Sequence, residues 1–373
     1  MSKIGIIDAD LIHNSHHNFP NLACMKLSGH HKRQGDAVEL IHWEQINPDN
    51  LFQDTFDHVY ISSVFTSTVV PDHIKDLPFV SYGGTGFFYD QADNLPDEIE
   101  HAFPDYNLYD KWIGQKIQNG KDPSYFKYYT DFSIGFTTRG CFRGCEFCVN
   151  RNDKRVIPHS PLSEFVHPDR KKICMLDDNV LGCGAHWQRI FTELQATNKP
   201  FQFKQGLDIR MLSDKKAKVL SGSKYEGAYI FAFDDIQETE LIEKKLQIFQ
   251  KHISPKKTMF YVLTGFDRSQ KYDAAFWHQD LIDLLERIRI LLKYEALPYI
   301  MKFYKFNTES HHADFVNRCV FQWANAPQVI TKMSIREYAL SRGNVNIKEM
   351  REFEHKYPNL ASRYLDMKTR EIN

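Results

Sequence analysis

The sequence predicts an α/β protein in which a doubly wound parallel-sheet domain is followed by a partial β/α barrel. Short apolar, β-branched and aromatic runs recur along the 373 residues, helical patterns separate many of them, and several runs end in Asp, Asn or Gly. Strands that alternate with helices favour parallel sheets, whose ligand-binding residues follow the carboxyl ends of the strands. Polar residues at those ends are therefore the first candidates for function.

The first domain is predicted over residues 1–124 with a Rossmann-like, doubly wound form. Strand patterns cover residues 3–8, 37–43, 58–65 and 79–82, and the apolar positions after Asn21 indicate a helix that Gly35 would end. The turn Gly83-Gly84-Thr85-Gly86 follows the last of these strands. It lacks the G-x-G-x-x-G spacing of a dinucleotide site, so it is either a phosphate cradle or a plain tight turn.

A stretch rich in Pro, Asp and Asn between residues 90 and 123 indicates a domain boundary near Tyr125. Beyond it, six strand patterns with intervening helical patterns predict a partial (β/α)6 TIM-type barrel over residues 125–310. Residues 311–373 are predicted to be a short helical C-terminal extension. The strand patterns lie at 132–137, 172–176, 201–204, 228–233, 258–263 and 299–303, and the helical patterns at about 186–196, 213–221, 238–251 and 277–293.

Composition and charge narrow the class of protein. The chain is 42% hydrophobic with 28 Phe and 18 Tyr, which is enough apolar surface for a sizeable core. No apolar run approaches the roughly 20 residues that cross a bilayer, and the N-terminus reaches Asp8 too soon for a signal peptide. We therefore expect a globular protein of the cytoplasm with no membrane partner.

The net charge of -1 conceals an asymmetry between the two halves of the chain. Residues 1–125 hold 8 Lys and Arg against 18 Asp and Glu, whereas residues 126–373 hold 39 against 30. Two domains with different solvated faces would give this difference. A basic surface that attracts an anionic substrate, nucleic acid among them, would also give it.

Seven cysteines in a reducing compartment indicate metal ligands or buried thiols rather than disulfides. Cys141, Cys145 and Cys148 form a C-x-x-x-C-x-x-C triplet directly after the strand pattern at 132–137. Three thiolates on one loop suit zinc or an iron–sulfur cluster. A loop with three cysteines leaves one iron of a four-iron cluster open to an outside ligand.

Residues 139–148 read R-G-C-x-x-x-C-x-F-C and resemble the signature of radical S-adenosylmethionine (radical SAM) enzymes. The resemblance implies that Cys141, Cys145 and Cys148 hold a 4Fe-4S cluster, that its open iron binds the amino and carboxylate groups of SAM, and that Phe147 packs on the adenine. It also implies a 5′-deoxyadenosyl radical that abstracts hydrogen from a substrate the sequence does not identify. A reductant such as flavodoxin or ferredoxin would supply the electron.

Polar residues at the ends of later strands are the candidates for further contacts to SAM. An Asx turn or helix cap is the alternative for the first group, and Arg210 meets either the carboxylate of SAM or that of Asp208. The candidates are Asp177, Asp178 and Asn179 after one strand, Asp208 and Arg210 after the next, and Asp234 after the strand that follows.

An α/β domain in front of such a barrel resembles the cobalamin-binding class of radical SAM enzymes. In many such domains the His of a D-x-H-x-x-G sequence ligates cobalt, and that sequence does not occur in residues 1–125. Cobalamin bound without a protein ligand, or no cobalamin, is therefore expected. The class makes a C-methyltransferase one alternative activity, and a nucleobase or small molecule is an alternative target for modification.

A zinc site is the rival interpretation of the triplet, with His159 or His167 as its fourth ligand. Zinc sites more often pair two-residue spacings, and the other cysteines form no second C-x-x-C. A zinc-stabilised nucleic-acid-binding protein would suit the basic balance of residues 126–373. The metal content of the protein separates the two.

Overall fold

The computed structural model describes residues 1–14, 17–46 and 56–369. It contains parallel sheets and helices, which confirms the predicted α/β class. The chain divides into two compact units, Met1–Asp177 with Gln188–Phe201 and Asp178–Trp187 with Gln202–Asn373. The domain boundaries near residues 124 and 310, and the combination of a Rossmann-like domain with a partial barrel, stay predictions. Each unit is described by itself.

The first unit begins with a four-stranded parallel sheet. Its strands are β1 (Lys3–Asp8), β2 (Ala37–Leu40), β3 (His58–Ser62) and β4 (Val80–Gly83), in the order β2-β1-β3-β4. The central β1 reads KIGIID and is buried from its second residue, as its apolar side chains require in a sheet covered on both faces. The carboxyl ends of β1, β3 and β4 consequently lie along one edge.

Helix α2 confirms the helix that the sequence predicts after Asn21. The Asn21 side chain caps it by accepting hydrogen bonds from Ala23 N at 3.0 Å and Cys24 N at 3.3 Å. Its buried face packs Met25 and Leu27 into the core beside β1. The α-helices before β9 are α1 (Ala9–His13), α2 (Leu22–Arg33), α3 (Asp72–Lys75), α4 (Thr85–Phe88), α5 (Asp97–Glu100), α6 (Asp110–Gln118), α7 (Lys127–Thr130) and α8 (His186–Ala196).

The first unit also contains two pairs of later strands. Strands β5 (Phe132–Gly135) and β8 (Lys172–Met175) are parallel neighbours, and both match predicted strands. Between them along the chain, β6 (Thr138–Arg139) and β7 (Ile157–Pro158) pair in antiparallel fashion. The sequence does not predict this hairpin, because two-residue strands are too short to show a period.

The second unit contains a three-stranded parallel sheet of β10 (Tyr229–Ala232), β11 (Thr258–Thr264) and β12 (Leu297–Lys302). Strand β9 (Phe201–Phe203) lies at the boundary of the units. Every second residue of β11 is buried, as expected for a strand with one face on a core. Helices α9 (Asp214–Ser221), α10 (Thr239–Gln250) and α11 (Ala274–Lys293) separate the strands along the chain.

Helix α11 fixes the loops at the carboxyl ends of β10 and β11. Asp280 accepts hydrogen bonds from Thr264 Oγ1 at 2.6 Å and Gly265 N at 3.0 Å. The buried Arg287 donates to the carbonyls of Phe233 at 3.0 Å and Asp234 at 2.9 Å. These charged side chains satisfy backbone groups that the ends of the strands would otherwise leave unpaired.

The remainder of the described chain is helical, as predicted. A π-helical turn covers Val316–Phe321. Among the described residues, no helix is both long and apolar enough to span a membrane. The helices are α12 (Phe306–Glu309), α13 (Ala313–Phe315), α14 (Gln322–Ala324), α15 (Pro327–Ile330), α16 (Ile335–Arg342), α17 (Asn344–Lys356) and α18 (Pro358–Tyr364).

Candidate metal centre

The three motif cysteines lie on the loop that connects β6 to β7. The antiparallel pairing of Thr138 with Pro158 and of Arg139 with Ile157 closes this loop at its base. We call residues 140–156 the cysteine loop. A loop with both ends fixed in a hairpin loses less freedom on binding a cluster than an open connection of the same length would lose.

Hydrogen bonds inside the cysteine loop hold its backbone. Cys141 N donates to Asp153 Oδ2 at 3.1 Å, and Cys148 N donates to the carbonyl of Cys145 at 2.9 Å. Asn150 N donates to the sulfur of Cys148 at 3.4 Å. A backbone N–H directed at a sulfur stabilises the thiolate form, which is the form that binds a metal.

Gly140 is required where the loop leaves β6. Its φ of +88° lies in the left-handed region, and a Cβ there would come within 2.5 Å of the carbonyl oxygen of Arg155. A side chain would therefore separate the two ends of the loop. The backbone conformation of the loop therefore explains why glycine precedes the first cysteine, whether or not a ligand binds there.

The donor chemistry of the loop fits an iron–sulfur cluster. Cys141, Cys145 and Cys148 are half-buried and in no disulfide. Across residues 1–14, 17–46 and 56–369, no three side chains of His, Cys, Asp or Glu form a group arranged to hold a metal ion. The fit therefore rests on thiol donors that share one closed loop and on the N–H group directed at Cys148.

Asp177 lies at the end of β8 and holds the entrance to the cysteine loop. Its fully buried carboxylate accepts hydrogen bonds from the backbone N–H and the hydroxyl group of both Thr137 and Thr138, at 2.6–3.1 Å. Burial raises the pKa of Asp177, and these hydrogen bonds oppose the rise. This geometry gives Asp177 a positioning role, and its predicted contact with SAM stays a prediction.

The second unit brings three of the predicted residues together. Asp208 accepts hydrogen bonds from Arg210 Nε at 2.7 Å and from Asn179 Nδ2 at 3.3 Å. Arg210 also donates from one terminal nitrogen to Glu238, at 2.9 Å and 3.1 Å. Burial lowers the pKa of Arg210, but Asp208 and Glu238 outweigh burial and raise it. The sequence left open whether Arg210 pairs with the carboxylate of SAM or with that of Asp208, and the structure shows Asp208 as its partner. The sequence did not predict the second partner, Glu238.

The remaining predicted residues have separate surroundings. Asp234 Oδ1 accepts a hydrogen bond from Leu263 N at 3.0 Å, and burial raises the pKa of its carboxyl group. Asp178 is half-buried beside the buried Asn179. Phe147 is half-buried on the cysteine loop. The cysteines, Phe147 and Asp177 belong to the first unit, and the other predicted residues belong to the second.

A segment after β4 contacts the cysteine loop within the first unit. Tyr89 OH donates to the carbonyl of Phe147 at 2.7 Å, and Asp90 accepts from Arg151 Nε at 2.7 Å and from Asn152 Nδ2 at 2.9 Å. Tyr89 has a φ of +41°, an uncommon value for a residue with a side chain. We call Tyr89 and Asp90 the latch. No local sequence signal predicts it, because its residues are about 60 positions from their partners.

A partly buried ionic cluster surrounds Glu100 on α5. Lys26 Nζ lies 3.1 Å and His159 Nε2 lies 3.3 Å from Glu100 Oε1, and Arg139 of β6 lies 4.0 Å away. Burial alone would raise the pKa of Glu100, but the nearby His159 and the charges of Lys26 and Arg139 lower it to about 2. The cluster ties both strands of the hairpin stem to α2 and α5.

Three comparisons with known proteins were made, and one of them found similar solved structures. No protein-family model and no curated protein matches the chain. Similar solved structures include two of the cobalamin-dependent S-adenosylmethionine radical enzyme OxsB, one with aqua-cobalamin and S-adenosylmethionine bound and one with aqua-cobalamin bound. The TM-scores are 0.36 and 0.35, and the identity is 16% in both.

The matched region covers 81% of this chain and 49% of OxsB, so the chain spans about half the length of that enzyme. Because both TM-scores lie below 0.5, the function proposed below rests on the chain's own residues.

The Glu100 cluster should stabilise the fold less at acid pH. Because the folded pKa lies below the ordinary value of 4.5, its contribution is complete above about pH 4.5 and is lost as the pH falls through about 2. We expect Glu100→Gln to lower the free energy of unfolding by roughly 3 kcal/mol at pH 6 and by about half of that at pH 3. Urea unfolding at the two pH values measures this. Glu98→Gln, at an exposed position of the same helix, is the control.

Removal of the Tyr89 hydroxyl should loosen the cysteine loop. A hydrogen bond worth about 0.5–1.5 kcal/mol corresponds to a two- to tenfold change in loop opening. We therefore expect the loop cysteines of Tyr89→Phe to react two to ten times faster with iodoacetamide, as measured by mass spectrometry. Tyr82→Phe, which changes an exposed tyrosine of β4, should leave the rates unchanged. Equal rates in all three proteins would show that the latch does not hold the loop.

Proposed function

We propose that this chain is a radical SAM enzyme whose cysteine loop holds a site-differentiated 4Fe-4S cluster. The observation that carries the proposal is the C-x-x-x-C-x-x-C triplet on a loop closed by the β6–β7 hairpin. Cys141, Cys145 and Cys148 would bind three of the four irons, and the fourth would be open to SAM. When bound, the cluster and SAM supply the reductive cleavage of the sulfonium that generates the 5′-deoxyadenosyl radical.

The chain's own residues would prepare the loop for this cluster. The Asn150 N–H that points at Cys148 favours its thiolate, and hydrogen bonds to cluster sulfurs are one of the means by which proteins tune reduction potential. Asp177 keeps Thr137 and Thr138 fixed ahead of the first cysteine. Preorganisation of this kind lowers the ordering cost of cluster binding.

SAM contacts are proposed for the polar residues at the strand ends and for Phe147. Phe147 would offer a ring to the adenine, and Asp178, Asn179, Asp208 and Asp234 are oxygen acceptors for ammonium or ribose groups. Arg210 donates hydrogen bonds from Nε to Asp208 and from one terminal nitrogen to Glu238. Its other terminal nitrogen carries two N–H groups, which suit the carboxylate of SAM. Two carboxylates hold the guanidinium of Arg210 in one orientation and thereby preorganise it.

Anaerobic reconstitution with iron and sulfide tests the proposal. We expect the wild-type protein to gain a brown chromophore with about four irons per chain, and to release 5′-deoxyadenosine from SAM in the presence of dithionite. Cys141→Ala, Cys145→Ala and Cys148→Ala should each lose most of the iron and the product. Cys319→Ala, which removes a buried thiol outside the loop, should keep both.

Two results would contradict the radical SAM proposal. A colourless wild-type protein after reconstitution is the first. The second is about one zinc per chain with negligible iron, together with salt-sensitive binding to oligonucleotides, which would support the zinc-stabilised nucleic-acid-binding protein instead.

Cobalamin-dependent methyl transfer is the second candidate, and the carboxyl edge of the first sheet favours it. Val64, Phe65, Tyr82 and Phe88 expose 42–52% of their surfaces at or beyond the ends of β3 and β4. Such a concentration of exposed apolar side chains on a soluble protein marks a binding surface.

Hydrogen bonds to the side chain of Asp10 and a close backbone approach at Gly84 hold the residues of this edge in place. Asp10 accepts hydrogen bonds from Ser63 Oγ at 3.0 Å, Val64 N at 2.6 Å and Thr68 Oγ1 at 2.6 Å. Gly84 has a φ of +105°, and a Cβ there would lie 2.2 Å from the Ser63 carbonyl oxygen. The absence of D-x-H-x-x-G from residues 1–125 means that cobalamin would bind here without an imidazole from that motif.

The visible spectrum of protein expressed with cobalamin present, recorded after gel filtration, tests the second candidate. We expect a retained corrin band, and its loss in Phe65→Glu, because a carboxylate would disrupt the apolar surface. Leu340→Glu is a matched control, since Leu340 is 50% exposed and Phe65 is 52% exposed. If the wild-type protein shows no corrin band, the cobalamin-dependent candidate is excluded. The radical SAM enzyme that does not use cobalamin would then be the candidate that stands.

A further inference from the structure

The first unit contains a cavity of about 340 Å³, with Asn14 and His17 on one side and helix α6 and the turn that follows it on the other. This volume lies at the lower end of the range for small-molecule pockets. The cavity contains none of the residues assigned above to the cluster, SAM or the cobalamin surface. Its described lining includes Trp112, Lys116, Lys121 and Tyr125.

The charge of the cavity favours an anion. Its described lining contains the ammonium groups of Lys116 and Lys121 and no carboxylate. The carboxyl end of α6 contributes roughly half a negative charge, which the two ammonium groups outweigh. The carbonyls at that end are also engaged, because Lys121 N donates to the Lys116 carbonyl at 3.0 Å and Gly120 N donates to the Ile117 carbonyl at 2.9 Å.

A buried nitrogen in the cavity wall lacks a partner. His17 Nε2 is inaccessible to solvent and has no hydrogen-bond partner among the residues that the structure describes. His17 acts electrostatically on the buried carboxyl group of Asp8, whose pKa burial raises to about 6 while His17 opposes that rise. The hydroxyl group of Tyr125 holds the backbone of His17 in place by donating a hydrogen bond to its carbonyl oxygen at 3.3 Å.

Aromatic side chains supply the other half of the lining. Trp112 and Lys116 lie one helical turn apart on α6, and Tyr125 follows the turn. Lys121 Nζ lies 3.8 Å from the centroid of the Tyr125 ring, and Lys116 Nζ lies 5.9 Å from that of Trp112. Rings beside ammonium groups offer stacking surface and charge together, as nucleotide sites do.

We propose that this cavity binds a small phosphorylated ligand of the mononucleotide class. Lys116 and Lys121 would contact the phosphate, and Trp112 and Tyr125 would contact the ring. The site is independent of the cysteine loop, so it does not depend on the proposed radical chemistry.

Calorimetric titration of the full-length protein with uridine monophosphate tests the site. Its pyrimidine differs from the adenine of SAM, which separates this cavity from a SAM site. We expect saturable binding of one molecule per chain, and weaker binding of both uridine and inorganic phosphate. Lys116→Gln and Lys121→Gln should each raise the Kd by about tenfold or more, because each removes a charge-assisted contact.

Lys111→Gln is the matched control. Lys111 is an exposed lysine on the same helix and does not line the cavity, so this variant should bind uridine monophosphate as the wild type does. No saturable binding of the nucleotide, or an equal loss in all three lysine variants, would overturn the proposal. Phosphate binding as tight as that of the nucleotide would overturn the mononucleotide assignment.

The outcome separates this proposal from the proposed function. Protein with and without the reconstituted cluster should bind uridine monophosphate equally, and Lys116→Gln and Lys121→Gln should release as much 5′-deoxyadenosine as the wild type does. A failure of reconstitution would leave the nucleotide result unchanged, and a failure of nucleotide binding would leave the cluster result unchanged.

Discussion

The buried carboxylate of Asp177 is the constraint on which the candidate site depends. It receives hydrogen bonds from two backbone N–H groups and two hydroxyl groups at Thr137 and Thr138, where the chain leaves β5 for the cysteine loop. A buried carboxylate is costly unless its oxygens are satisfied, so this arrangement tolerates little displacement of either strand end. The position at which the cysteine loop begins is fixed before any metal binds.

Other interactions extend this control around the loop. The β6–β7 pairing closes its base, Asp153 accepts from Cys141 N inside it, and the latch of Tyr89 and Asp90 contacts Phe147 and two residues beyond the last cysteine. Each of these interactions alone contributes only a modest stabilising free energy. Together they reduce the conformational freedom that the three thiols would lose on binding the proposed cluster.

The latch joins the cysteine loop to a segment that follows the glycine turn after β4. Tyr89 keeps an unfavourable backbone φ of +41° while its hydroxyl reaches the carbonyl of Phe147. Strained residues persist where surrounding structure over-determines them, often beside functional sites. The segment that follows the first sheet thereby holds the cysteine loop through Tyr89 and Asp90.

The sequence by itself determined the α/β class and most of the strands, and it is the basis of the metal-binding chemistry proposed for the triplet. Apolar runs show burial and period in a few residues, and the spacing of Cys141, Cys145 and Cys148 is local, so neighbours in the chain carry both signals. Only the tertiary structure decided how the polar candidates are used. Asp177 contacts threonines 39 and 40 positions away, and Arg210 pairs with Glu238 as well as with Asp208. Hydrogen bonds between distant residues depend on how strands and helices pack, which no local pattern records.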